Sequence, residues 1–373
     1  MARFRWAHDR SSITSENECA VQRRPLLTLA ALLVLNPVGN VYAHHGAAAH
    51  FDPDDVVTLE GMITELQFVN PHAFVHLDVA DDSGATQSWR CELSGATQLM
   101  RRGWTPETLA PGQTVEIVGE RARREENSCA MLTIVFTDGK LIESGLEVEG
   151  AVIPETVASV AGIASRPQYL DNGQPNLSGA WVSRSGGGTG NVNNGPPEPS
   201  AAGLAASEEF DFRYDNPVIR CESGNIIADW SRQSHVNDIQ QDDDQITLLY
   251  GYLDLTRTIH LDVSSHPENL VPTVEGHSIG RWEDDVLVVD TVGFLPRALN
   301  PRAEVMISGR THILERFEYD EAERALLRHY TVTDPLYLEK PYSGVNVSDI
   351  AAQQYQPFQC VDLSGENNRR PDE

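Results

Sequence analysis

Residues 56–69 alternate between apolar and polar with a period of two, broken once at Gly61, and residues 73–79 repeat the pattern before the turn Asp81-Asp82-Ser83-Gly84. Such alternation puts successive side chains on opposite faces and belongs to a strand with one face buried. The same reading places strands at 86–93, 114–119 and 131–136, with one short helix over 96–102 ahead of Gly103. Five strands and one helix in so short a stretch predict a small closed barrel of the oligonucleotide/oligosaccharide-binding shape over 44–140. The shape by itself confers no ligand.

The chain has 373 residues, enough for two folded units. Residues 141–175 read as a linker, and the Gly/Pro-rich stretch near 185–203 as a loop without core-forming capacity. Beyond it, strands are expected at 245–251, 256–262, 276–282, 286–291, 311–319 and 325–332. Regular short strands joined by Asp, Gly and Pro turns predict an antiparallel lipocalin-like barrel or sandwich over 176–373. The fold class is therefore mainly β, an OB-like barrel followed by a second β unit.

Arg23 and Arg24 precede the apolar run 26–35, which is followed by Asn36-Pro37 and Val41-Tyr42-Ala43. This reads as a signal peptide over 1–43, cut to leave His44 first, because the run is about half the ~20 residues of a membrane span. The expected location is periplasmic or secreted, with no transmembrane segment after signal removal. Cys91, Cys129, Cys221 and Cys360 then remain, an even number in a chain bound for an oxidising compartment. Three pairings are possible; pairing within each unit is the expectation, four buried thiols the alternative. The net charge of -27, from 28 Lys+Arg against 55 Asp+Glu, repels phosphate backbones and argues against nucleic acid as a partner.

At Ala43-His44-His45, Val57-Thr58-Leu59-Glu60-Gly61, Asn70-Pro71-His72 through Val79, and Arg101-Arg102-Gly103-Trp104, the chain resembles a family of exported bacterial domains of unknown function. The second half, with Gly276-His277-Ser278-Ile279-Gly280-Arg281-Trp282-Glu283, Leu287-Val288-Val289-Asp290-Thr291 and Glu315-Arg316-Phe317, is similar to another uncharacterised exported β family. Neither resemblance implies an activity. Where those relatives carry Gly after Trp-Glu, this chain has Asp284-Asp285. Gly179-Ala180-Trp181 resembles the opening of lipocalin-like barrels.

Two constellations offer chemistry. A cut after Ala43 gives His44 an α-amino group beside its imidazole, with His45 and His50 near, while His72 and His76, four apart, are expected with Phe74 on one strand face. Neutral imidazoles of this kind suit copper first and zinc second; solvated or packed histidines are the alternative. In the second unit, polar residues interrupt apolar strands at His235, Arg257, His260, His277, Asp290, His312 and Glu315. Alternation puts His277, Ile279 and Arg281 on one face and Ser278, Gly280 and Trp282 on the other. With the first face inside a barrel, His277 with Asp290 or Glu315 makes a general acid/base pair, and His235, Arg257 and Trp282 are candidates to hold a ligand. With that face outside, the same residues are a solvated sheet surface.

The sequence lacks the nucleophile elbow, zincin, P-loop and dinucleotide fingerprints, so no nucleotide cofactor is indicated. The leading expectation is an exported small-molecule-binding protein with a Cu/Zn site in the first unit. The alternatives are a cofactor-free isomerase, lyase or hydrolase using the His/carboxylate pair, and an envelope interaction module. The sequence sets no oligomeric state.

Overall fold

The computed structural model describes residues 50–81, 83–143, 158–164, 166–184, 191–233, 235–300 and 305–362, all within the compact unit His44–Glu373. Residues 1–49, with the expected signal peptide, His44 and His45, and residues 185–190 lie outside the described residues.

The first sheet runs β1 (Phe51–Gln67), β2 (Phe74–Ala80), β3 (Thr86–Glu92), β4 (Thr114–Ala122), β5 (Ser128–Phe136) and β6 (Leu141–Glu143). β1 pairs with β4 through its first part and with β2 through its second. Gly61 belongs to both pairings, and a Cβ there would lie 2.6 Å from the Asp78 carbonyl oxygen. Only glycine lets the backbones approach so closely at this bend. β3 pairs with β5 in parallel and closes the first five strands into a barrel. Cys91 and Cys129 are direct partners across that closure and form a disulfide. Val57, Leu59, Ile63, Val75, Leu77, Trp89, Ile117 and Ile134 fill the interior, as the alternation requires. The helix α1 (Ala96–Arg101) buries Leu99 and stops where Gly103 takes a positive φ and donates to Met100.

The second unit comprises β7 (Gly179–Ser183), β8 (Asn191–Asn193), β9 (Val236–Gln241), β10 (Gln245–Leu249), β11 (Thr256–His260), β12 (His277–Glu283), β13 (Val286–Val292), β14 (Arg297–Asn300), β15 (Val305–Ile307), β16 (His312–Asp320), β17 (Ala325–Thr333) and β18 (Tyr342–Ile350). Nine of these close in the order β7-β9-β10-β11-β12-β13-β16-β17-β18, with β8 added beside β18 and β14–β15 forming a separate ribbon. Every neighbour is antiparallel except β11–β12, which is parallel. The second unit is thus a barrel, with one parallel step the alternation could not reveal. Residues 261–276 make the crossover that this step demands.

Trp181 opens the barrel fully buried, its indole donating to the Leu177 carbonyl. Arg166 lies over its ring at 5.0 Å and donates to the carbonyls of Asn176 and Ser178. Arg166 falls inside the stretch read as linker, which therefore contributes to the packing of the barrel end.

The two barrels are tied by the chain's last described segment. Asn70 donates to the Phe358 carbonyl at 2.8 Å, and Val361 N–H donates to the Asn70 carbonyl. Asp254 accepts from the backbone N–H groups of Phe358 and Gln359. The Cys221–Cys360 disulfide anchors the same segment, so both pairings fall within the expected units.

Candidate functional site

The β12–β13 hairpin turns through Asp284-Asp285, with Glu283 paired to Val286 and Asp284 at φ 52°. Aspartate thus takes the left-handed position that glycine would fill more easily. This turn fixes Ile279 opposite Asp290 and Ser278 opposite Thr291. Ser278, Gly280, Val289 and Thr291 are buried, and Arg281 is exposed. The inner face therefore carries Ser278, Gly280 and Trp282, and the His277–Ile279–Arg281 face is outside. Of the two placements that the alternation allows, His277 takes the outer one, because the face of Ser278, Gly280 and Trp282 turns to the core; the reading that needs His277 inside a barrel pocket is corrected.

Glu315 lies inside, so the structure does not bring it to His277. It pairs with Arg257, which also donates to Ser278 Oγ at 2.9 Å and Thr291 Oγ1 at 2.7 Å. Arg328 donates to Glu315 from the other side at 2.7 Å. Burial opposes the Glu315 charge, but the two guanidiniums outweigh it and hold the carboxyl below its ordinary value. Arg257 is likewise disfavoured by burial and held above its ordinary value by Glu315. A carboxylate so clamped offsets one of the two buried positive charges and is poorly placed to exchange protons.

Outside, two imidazoles meet one carboxylate and two more follow behind one of them. The period of two carries His277 and Asp290 to one face, and Asp290, opposite Leu314, has His312 as its diagonal neighbour. Asp290 Oδ1 lies 3.0 Å from His312 Nε2 and 3.0 Å from His266 Nε2. His266 Nδ1 lies 2.8 Å from His277 Nδ1. His260 stacks on His277 with ring centroids 5.2 Å apart. His266 comes from the crossover, which Thr273 ties to the end of β13 through Gly293 and Leu295 backbone bonds. Side-chain exposures of 19% for His266, 31% for Asp290 and 41% for His312 leave the cluster open to solvent.

Asp290 sets the tautomers. An ionised carboxylate only accepts, so neutral His266 carries its proton on Nε2 and presents Nδ1 as an acceptor. His277 must then donate from Nδ1, which leaves its lone pair on Nε2. Partial burial, followed by the neighbouring His266 and His260, moves the His277 pKa below 6.5, so this imidazole is neutral at pH 7. A neutral base backed by a carboxylate-imidazole line can take a proton and spread the charge behind it.

The other candidates serve different contacts. His235 is buried against Tyr252 and Phe358, and burial, with Arg101 and Arg232, pushes its pKa down to about 4. Trp282 packs on the barrel core, its indole N–H meeting no acceptor among the described residues. His72 precedes β2 and pairs with Glu92 at 2.7 Å, whereas His76 meets Gln67 at 3.1 Å. The expected shared strand face is corrected, because the strand begins only at Phe74. Burial opposes the His72 charge, but Glu92 outweighs it and holds the pKa above 6.5. Among the described residues, no three His, Cys, Asp or Glu side chains stand ready as a metal shell.

Sequence reading named His277 and Asp290 but missed His266. Alternation weighs residues within strands, and His266 sits in a crossover whose path follows from the parallel step.

A model of a family described as a family of unknown function (DUF6152) matches residues 33–130, little more than a quarter of the chain, ending inside β5. Residues 33–130 are thus similar to an uncharacterised family. No curated protein matches the chain. The two disulfides are those of a protein that matures outside the reducing cytosol.

Proposed function

We propose that the chain is an exported, periplasmic or secreted protein that binds a small molecule on the outer face of its second barrel and removes a proton from it. His277 Nε2 is the base, His266 passes the developing charge back, and Asp290 stabilises it. The Asp290–His266–His277 line carries this reading, supported by the depressed pKa of His277. The reaction class is that of a cofactor-free hydrolase, lyase or isomerase. The second half is read here as a member of an uncharacterised β family whose His277 and Asp290 motifs meet at this site.

The test uses p-nitrophenyl acetate, a general probe of neutral imidazoles, with the full chain in a chelator. Hydrolysis is expected to rise through a midpoint below pH 6.5 and to fall at least tenfold in His277→Gln. Equal rates in wild type and His277→Gln overturn the reading.

A second reading keeps copper or zinc on the first barrel. It is supported by His72 bound to Glu92, which also feels the charge of His50. Unchanged copper content in His72→Ala discards it.

A further inference from the structure

The interior of the second barrel carries two guanidiniums and one carboxylate, all without exposure to solvent. Glu315 offsets one of the two positive charges and leaves the other. Asp229 and Asp334, the other buried carboxylates among the described residues, are engaged elsewhere. Asp229 accepts from Ser223 and Gly224, and Asp334 from Ser308 and Thr311. A charge held away from water without a counter-charge is strongly disfavoured. Arg257 spends its donors on Ser278, Thr291 and Glu315. Arg328 does not: its Nε donates to Glu315 Oε1 at 2.7 Å and its Nη1 reaches Asn346 Oδ1 at 3.4 Å. Its Nη2 stands 2.7 Å from the same Glu315 oxygen, off the direction of a hydrogen bond, and meets no acceptor among the described residues.

The strand register supplies the surroundings. Arg328 pairs with Phe317 on one side and Asn346 on the other, and Ser348, two residues along from Asn346, is its diagonal neighbour on the inner face. Ser348 Oγ is buried with no partner among the described residues. The Trp230 ring lies 5.7 Å from the Arg328 guanidinium, and its indole N–H likewise meets no acceptor there. All three unmet groups can donate. A water would serve the donors and leave the charge, whereas an anion serves both. We infer that the second barrel binds one small monovalent anion, a halide or a short carboxylate, beside Arg328 Nη2, with Ser348 Oγ donating to it and Trp230 as its wall. A barrel of about eight strands has an interior wide enough for side chains and one small ligand. A single uncompensated charge selects a monovalent ion over sulfate or phosphate. The site lies on the opposite face of the sheet from His277 and does not depend on the acid/base reading.

The experiment dialyses the full chain into sodium sulfate and follows its urea midpoint as sodium chloride, or sodium formate, replaces the sulfate at constant ionic strength. An anion held only by the folded state raises the midpoint with the logarithm of its concentration once it exceeds Kd. That rise is expected in wild type, absent in Arg328→Leu, and displaced to at least tenfold higher concentration in Ser348→Ala. Glu315→Gln leaves both guanidiniums uncompensated and is expected to bind the anion at least tenfold more tightly. Circular dichroism of each variant confirms that the barrel persists; where Arg328→Leu does not fold, Ser348→Ala and Glu315→Gln carry the test. Crystals soaked in bromide are expected to show an anomalous peak within hydrogen-bond reach of Arg328 Nη2. A larger effect of chloride assigns a halide, and a larger effect of formate assigns the carboxylate of an organic acid. No rise in wild type, or the same rise in wild type, Ser348→Ala and Glu315→Gln, overturns the site.

Discussion

Arg257 and Glu315 form an ion pair at the centre of the second barrel with neither side chain exposed to solvent. Desolvating two charges costs several kcal/mol per ion, and here Ser278, Thr291 and Arg328 supply the hydrogen bonds and opposite charge that offset it. Replacing Glu315 by Ala leaves two guanidiniums buried without their carboxylate. The expected loss is about 3–5 kcal/mol of unfolding free energy, read from urea transitions. A loss below about 1 kcal/mol would mean that water enters the barrel and solvates the arginines.

Acid should weaken the protein before its carboxylates titrate. His235 is buried with its pKa pushed down to about 4. Below pH 6.5 the unfolded chain binds a proton at His235 that the folded chain refuses, so stability falls as pH drops from 6.5 towards 4 and is fully present above 6.5. The displacement corresponds to about 3 kcal/mol. His76 and His277, also depressed, add in the same direction. His72, raised by Glu92, contributes the opposite way, its stabilisation fading as pH rises above 6.5. Urea midpoints at pH 7 and 4.5 should differ clearly in wild type and differ less in His235→Leu; an unchanged difference would take His235 out of the account.

The two disulfides should differ in reactivity. Cys91 and Cys129 are buried across the closure of the first barrel, whereas Cys221 and Cys360 are both partly accessible. Under mild reductant, alkylation and mass mapping should label Cys221 and Cys360 first. The bond closes a separation of 139 residues, and its loss should cost about 2–5 kcal/mol and expose the segment after Asp254's partners to protease. Simultaneous labelling of all four cysteines would refute the ordering.

The first barrel was almost entirely readable from sequence because its strands alternate and its turns carry glycine or Asp-Ser-Gly. Its one parallel closure left its trace in Cys91 and Cys129, which sit side by side across it. In the second barrel the alternation separates the two faces of β12, but it does not decide which of them turns inward. Ser278 and Thr291 are polar yet buried, and their hydroxyls accept from Arg257. The same motifs therefore serve two places: Ser278, Thr291 and Glu315 face the ionic centre, and His277 and Asp290 face solvent. His266 was invisible because a residue in a crossover gains its neighbours from topology, which the local pattern does not encode.

Gly276 offers a way to disturb that topology without touching a reacting group. It precedes His277 at φ +68°, and a Cβ there would lie 2.8 Å from the Val292 carbonyl oxygen. A left-handed φ alone costs a non-glycine residue about 1–2 kcal/mol, and the contact with backbone adds to it. That Cβ would also lie 2.9 Å from the side chains of the core residue Phe294 and of buried Thr291, so Gly276→Ala should strain the end of the barrel where β12 begins and shift the crossover that carries His266. The expected result is a urea midpoint lowered by about 1–3 kcal/mol, together with ester hydrolysis reduced as far as in His266→Ala. If stability falls while hydrolysis stays at the wild-type rate, His266 does not support His277, and the line from Asp290 to the base is broken at its middle.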